Sequence, residues 1–304
     1  MHLATQQKGS WGRSIKMLIE VGVNVNRRNN SGNTPAHLAI KQNDWGTMQA
    51  LIQAGADVNI PNTNAETLIQ IAIEKKNEHA LIALIEAGAN IDIRLNNEST
   101  LAHWAAQQGY PQVIVALHRK GANLSEQDQE GNTPVHIAAQ QAHVNTLLAL
   151  IRGGAALNTR NNEGNPPIQL AAQKDYTITI KTLIEAGANV NIRGGKGQTL
   201  AHYGGMKGQA SIITILHQKG LTPAHIAIQK NKWKVVVALH KAGVDTLTHA
   251  AAQEGQLEAL SVLRHAGANF NGQDAQGNTP AHYAAKHGHG EMIEALREIG
   301  VDLN

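Results

Sequence analysis

Sixteen histidines in a chain of 304 residues that has no cysteine make imidazole metal ligation the first chemistry to test. Thiolate zinc sites, iron–sulfur clusters, disulfides and a thiol nucleophile are excluded by composition. The histidines are too dispersed to share an ion. His2, His37, His103, His136, His202, His225, His249 and His282 recur far apart in similar local contexts, and His118, His217 and His240 form a second dispersed set. The close pair in His287-Gly288-His289 lacks a third ligand, so no metal is expected.

Catalytic patterns fare no better, since the chain has no H-E-x-x-H, no G-x-S-x-G and no G-x-G-x-x-G opening a helix. Gly194-Gly195-Lys196-Gly197-Gln198-Thr199 has the look of a phosphate loop, but its lysine precedes glycine where a phosphate loop needs Ser or Thr. Glu126 and Asp128 are paired carboxylates on a turn, where solvation explains them. The chain is therefore expected to be no enzyme and to hold no cofactor.

The net charge is +3, with signs scattered so that neither Arg27-Arg28 nor Lys75-Lys76 extends into a basic track. Nucleic acid is not an expected partner. The N-terminal segment from Met1 to Lys8 lacks the apolar core of a signal peptide, and no run of apolar residues is long enough to span a bilayer. A soluble, cytoplasmic monomer that does not bind membranes is the expectation, and the sequons at Asn97 and Asn123 would matter only in a secretory lumen.

A period supplies the elements that position these residues. Thr34, Thr67, Thr100, Thr133, Pro166 and Thr199 are 33 residues apart, and Gly55, Gly88, Gly121, Gly154, Gly187 and Gly220 keep the same interval. Within one period, Thr34 caps a helix that Pro35 opens. Ala36, Leu38, Ala39 and Ile40 give it an apolar face, Met48 to Ile52 give a second helix another, and Gly55 stops the chain. Neither face is buried within one unit, so the units must stack.

A period of 33 residues, T-P-x-H, Gly-Ala-Asp/Asn-x-Asn and an Asx-x-x-Gly-x-Thr turn together resemble the ankyrin repeat. Thr34-Pro35-Ala36-His37, Thr133-Pro134-Val135-His136, Thr222-Pro223-Ala224-His225 and Thr279-Pro280-Ala281-His282 are the clearest copies. The resemblance implies an all-α ankyrin-repeat solenoid of ten helix-turn-helix repeats with short β-hairpin fingers. It also implies that the eight dispersed histidines order backbone turns, and that asparagines such as Asn59 and Asn191 match the family's acceptor for hydroxylation. The whole chain reads as one array, with repeats near 1–28, 29–61, 62–94, 95–127, 128–160, 161–193, 194–220, 221–245, 246–273 and 274–304. Thr67-Leu68-Ile69-Gln70 and Pro166-Pro167-Ile168-Gln169 lack the histidine, and the latter lacks the threonine, so these two repeats are expected to be held less well.

The period is broken twice. After Gly220 the next Thr is Thr222, and after Gly243 it is Thr246, so two fingers are missing near 220–222 and 243–246 while both helices of each repeat survive. The bare notch reads either as drift in a tolerant loop or as a recess for a partner, with Lys230 and Trp233 its candidate contacts. Trp45 holds the corresponding slot where nothing is deleted, which favours packing for Trp233. His2-Leu3-Ala4 aligns with His37-Leu38-Ala39, so the chain begins inside a repeat, with residues 6 to 14 as a makeshift cap or the sequence a fragment. At the other end Glu291, Glu294, Arg297 and Glu298 make the last helix polar, as a terminal repeat requires.

Positions that escape the buried pattern remain. In ankyrin arrays the exposed first-helix residues and finger tips form the concave partner-binding face. Here these are Gln107, Gln108, Gln140, Gln141, Gln173, Lys174, Met206 and Lys207 from the helices, with Asn97, Ser99, Gln129, Glu130, Asn132, Glu163 and Asn165 from the fingers. This amide-rich face suits hydrogen bonding to a segment of another protein. The expected function is a non-catalytic protein–protein interaction scaffold. The alternative is a targeting or regulatory fragment of a larger multidomain enzyme whose catalytic part is absent from this chain. The glutamine and histidine usage resembles ankyrin arrays of intracellular bacteria, some translocated into host cells, which would place the chain in the host cytoplasm as an effector.

Overall fold

In the computed structural model, residues 17–207 and 231–303 are described, apart from 242, 243 and 245, together with single positions 209, 212, 215, 216, 227 and 228. Of residues 202 and 205–207 only the backbone is described. The expectations for the first half-repeat, the cap at 6–14, Lys230 and the junction at 220–222 lie outside these residues.

Sixteen short α-helices are found among the described residues, with one 3₁₀ turn at Asn96–Glu98 and no strand. In order they are α1 Pro35–Lys41, α2 Trp45–Gln53, α3 Leu68–Glu74, α4 Glu78–Glu86, α5 Leu101–Gln108, α6 Pro111–Arg119, α7 Pro134–Gln140 and α8 Val144–Arg152. There follow α9 Pro167–Gln173, α10 Thr177–Glu185, α11 Leu200–Lys207, α12 Trp233–Lys241, α13 Leu247–Gln253, α14 Leu257–His265, α15 Pro280–Lys286 and α16 Gly290–Glu298. Two compact units result, Met1–Ala138 with Asn145–Ala156, and Ala139–Val144 with Leu157–Asn304.

Local chemistry explains the helix boundaries. Thr34 sits at φ −79°, ψ 168°, and its N–H donates to Nδ1 of His37 at 3.2 Å, the hydroxyl lying 2.8 Å from the same nitrogen. Second helices begin at Asx caps where these are present, as Asp44 Oδ1 accepts from Thr47 N at 3.1 Å and Asn77 Oδ1 from Ala80 N at 3.0 Å. They end at Gly55 and its equivalents, where φ of +82° at Gly55 is a conformation glycine adopts without strain. In the first unit the apolar faces bury Met48, Leu51, Leu68, Ile69, Leu81, Leu84, Leu101, Ile114 and Leu117. The second unit packs Val235, Val236, Leu239, Leu247, Leu263, Met292 and Leu296 into one cluster, with small alanines of α13 between them.

Turns stand where β-hairpin fingers are expected. Asn29 N–H donates to Asn33 O at 3.0 Å and Gly32 N–H to Asn29 O at 2.8 Å, while the Asn29 side-chain oxygen accepts from Ser31 N and Asn33 N. Asp128 and Asp274 repeat the arrangement. The Asx side chain takes up donors that a longer ladder would use, so the segment closes as a turn.

The shortened junction at 243–246 leaves five residues, 242–246, between α12 and α13. Both helices form, as expected, but Thr246 is drawn to ψ 0° in place of the extended value near 168° at Thr34. Its capping role is lost. His249 keeps a contact of 3.0 Å from Nε2 to Asn278 O, yet its buried Nδ1 has no partner.

Candidate partner-binding groove

Two sets of hydrogen bonds tie successive repeats together. In the first, the repeat histidine accepts from its own Thr at Nδ1, which places the ring proton on Nε2, and Nε2 reaches a carbonyl 29 residues on: His37 to Glu66 O at 3.2 Å and His103 to Asn132 O at 2.8 Å. Burial pushes the imidazoles of His37 and His103 below the ordinary range, against the opposing effect of these carbonyls. In the second, a side-chain oxygen accepts a backbone N–H 31 residues ahead, as Asn26 does from Asp57, Asn59 from Asn90, Ser125 from Ala156, Asn158 from Asn189 and Asn271 from Asp302.

The two repeats without histidine each retain half of its work. Gln70 Oε1 accepts from Thr67 N at 2.8 Å and so closes the cap. Gln169 Nε2 instead donates to Ile192 O at 3.2 Å and Gln198 O at 2.6 Å, the latter 29 residues ahead. Its Oε1 lies buried against Gly194 of the next repeat without a partner, and Pro166, in the threonine slot, has no N–H that could draw it back to the helix start.

Within the first unit these ties frame an open groove of about 710 Å³. Turn residues Asn64, Ala65 and Glu66, then Arg94, Leu95, Asn96 and Ser99, then Asp128 form its walls, while Gln70, Ile73 and Glu74 of α3, His103, Trp104 and Gln107 of α5, and Ile137 of α7 form its floor. Trp104 is half-buried and meets Tyr110 edge to face at 5.5 Å. The Tyr110 hydroxyl donates to Lys76 O at 3.1 Å, so the pair is held before any partner arrives. Glu66 is held below the usual carboxylate range by the Asn62 side chain and by Lys41, whose Nζ lies 3.3 Å away. Arg94 is occupied by an ion pair with Glu126.

Of the residues singled out in the sequence, Gln107 and Ser99 line this groove, and Gln108 lies beside it in α5, half-exposed. Asn97 and Gln129 are exposed on adjacent turns joined by a bond from Gln129 N to Asn97 O at 2.9 Å; Glu130 is exposed and Asn132 half-buried. The second unit holds Gln140, Gln141, Gln173, Lys174, Glu163 and Asn165. There Lys174 Nζ donates to Gln140 O at 3.1 Å and Gln173 Nε2 to the Tyr203 hydroxyl at 3.3 Å. Asn165 is buried, its Oδ1 accepting from Gly195 N at 3.2 Å, so it serves the fold. Met206 and Lys207 belong to α11, and their side chains are outside the described residues. Trp233 packs against the core of the second unit.

Trp104, Glu66, Glu74, Arg94, Leu95 and Ile137 were not among the sequence candidates. One signal was available for Trp104: it fills the slot after the repeat histidine, where Leu38, Ile71, Ile137 and Leu170 stand elsewhere. Among the described residues no three His, Asp or Glu side chains converge on a common metal position, and the rings of His287 and His289 stack at 6.4 Å. No helix there is long and apolar enough to cross a membrane.

Comparison with known families matches residues 1–95 and 102–194 to the model described as "Ankyrin repeats (3 copies)". Residues 248–297 match "Ankyrin repeats (many copies)". No curated protein matches the chain.

Proposed function

Because the chain belongs to the ankyrin-repeat family, whose repeats are generally protein–protein interaction modules and typically non-catalytic, we propose that it is a binding scaffold whose α3–α5–α7 groove receives a segment of a partner protein. The observation that carries this reading is the groove itself, about 710 Å³ with a braced tryptophan on its floor and side-chain amides around it. A rigid aromatic anchor beside adaptable polar groups is the composition of protein-binding hot spots. His37 and His103 support the same reading, since both nitrogens of each ring are engaged within and between repeats. The amides of Gln70, Gln107 and Asn96 suit pairing with an extended or helical peptide.

Quantitative affinity purification from the source cells, comparing the native chain with Gln107→Arg, tests this. Gln107 is exposed, so circular dichroism should be unchanged while one or more partners disappear. Partners retained in full by the variant would move the binding surface away from the groove.

A further inference from the structure

The groove is acidic on a chain whose overall charge is positive. Its lining carries the carboxylates of Glu66, Glu74 and Asp128 against the single guanidinium of Arg94, which is already bound to Glu126, while the whole chain carries +3. The three carboxylates differ in what they have left to offer. Asp128 is occupied by the backbone N–H groups of Glu130 and Asn132, and Glu66 is shared with Asn62 and Lys41. Glu74 is exposed at the end of α3 and makes no ion pair among the described residues. The same lining carries Ile73, Leu95, Ile137 and the half-buried Trp104, apolar groups that a large partner side chain can contact. Burying such a side chain supplies affinity, and charges around it choose among partners by attracting one sign and repelling the other.

Resting on the proposed scaffold role, we infer that the groove takes a short basic segment of a partner protein in which one large apolar side chain, seated on Trp104, is flanked by Lys or Arg. The flanking cations face Glu74 on one side and Glu66 with Asp128 on the other. An acidic segment would meet the like charge of these carboxylates, least compensated at Glu74, so the same lining that selects basic sequences disfavours acidic ones.

The full chain is panned against a random dodecapeptide phage library in low salt, and enriched peptides are synthesised with a fluorescein tag for anisotropy titration. The expected consensus is an apolar residue between Lys or Arg, with affinity falling as salt rises. Glu74→Lys, a surface change that leaves the fold intact by circular dichroism, should weaken these peptides by about fivefold to tenfold, and Trp104→Ala should weaken them by at least about tenfold. Acidic or uncharged peptides that lose binding in Trp104→Ala but not in Glu74→Lys would overturn the inference and leave the groove as the binding site. Peptides indifferent to both variants would overturn the inference and the scaffold reading of this groove together. A library that yields no enriched peptide would also overturn the inference.

Discussion

Replacing Pro166 by threonine should stabilise the repeat that contains α9, because it supplies a donor for a buried acceptor that has none. Pro166 stands at φ −77°, ψ 160°, within a few degrees of Thr34, so threonine enters without backbone movement. A rotation that brings Gln169 Oε1 back from Gly194 would let it accept the threonine N–H, as Gln70 Oε1 accepts from Thr67 N–H at 2.8 Å. An unpartnered buried acceptor costs about 1–3 kcal/mol, and a threonine cap adds about 1 kcal/mol. Against this stands the loss of proline's restraint on the unfolded chain, about 0.4–1 kcal/mol. These terms sum to a gain of about 1–3.5 kcal/mol, and the lower end is expected because turning Gln169 gives up its bonds to Ile192 O and Gln198 O.

Stability in a repeat array is summed from local units, so the gain should be read locally. Native-state hydrogen exchange of the α9 amides should slow by about tenfold, with a smaller rise in the global urea midpoint. Pro166→Ala separates the two contributions, since it restores the N–H without the hydroxyl and should recover part of the gain. Gln169→His in the Pro166 background should bring no stabilisation, because Nδ1 would meet the same missing donor. Unchanged or faster exchange in both Pro166 variants would refute the account of the orphaned oxygen.

Burial holds His37 and His103 below the ordinary range, so the folded chain takes up protons less readily than the unfolded chain, whose histidines titrate near ~6.5. Stability from these sites is present above that pH and declines as pH falls below it, until the lower folded-state values are passed, so the melting temperature should drop between pH 7.5 and 5.0; a flat profile would contradict the assignment of Nδ1 as an acceptor. A Cβ at Gly195 would overlap the carbonyl of Glu163 on the neighbouring turn, so Gly195→Ala should destabilise the second unit by roughly 1–3 kcal/mol in a urea titration, and an unchanged midpoint would show that these turns are not in close contact.

The parts of this fold that were legible in the sequence are those that repeat. Thr34, Pro35 and Gly55 mark helix starts and stops because capping and left-handed turns are local requirements, met within a few residues. What the local residues do not carry is the effect of their surroundings. Thr246-Leu247-Thr248-His249 keeps the threonine and the histidine, yet at the shortened linker ψ of Thr246 is 0° and His249 Nδ1 is unsatisfied. Gln70 and Gln169 look equivalent in sequence, yet whether glutamine caps its own helix or bridges to the next repeat is tied to whether a threonine or a proline precedes it by three residues. Asn59 stood out as part of a motif, but its role as a staple appears only when its side chain is seen to reach Asn90, and Ser125 does the same work under a different letter. The groove follows the same logic in reverse. Gln107 and Ser99 were reachable because they break the buried pattern, whereas Trp104 and Glu74 hold ordinary helix positions and acquire meaning only beside Arg94, Leu95 and Ile137 from other repeats. Periodicity reports what every repeat shares; a binding site is made of what neighbouring repeats do not share, and only stacking decides which of those differences meet.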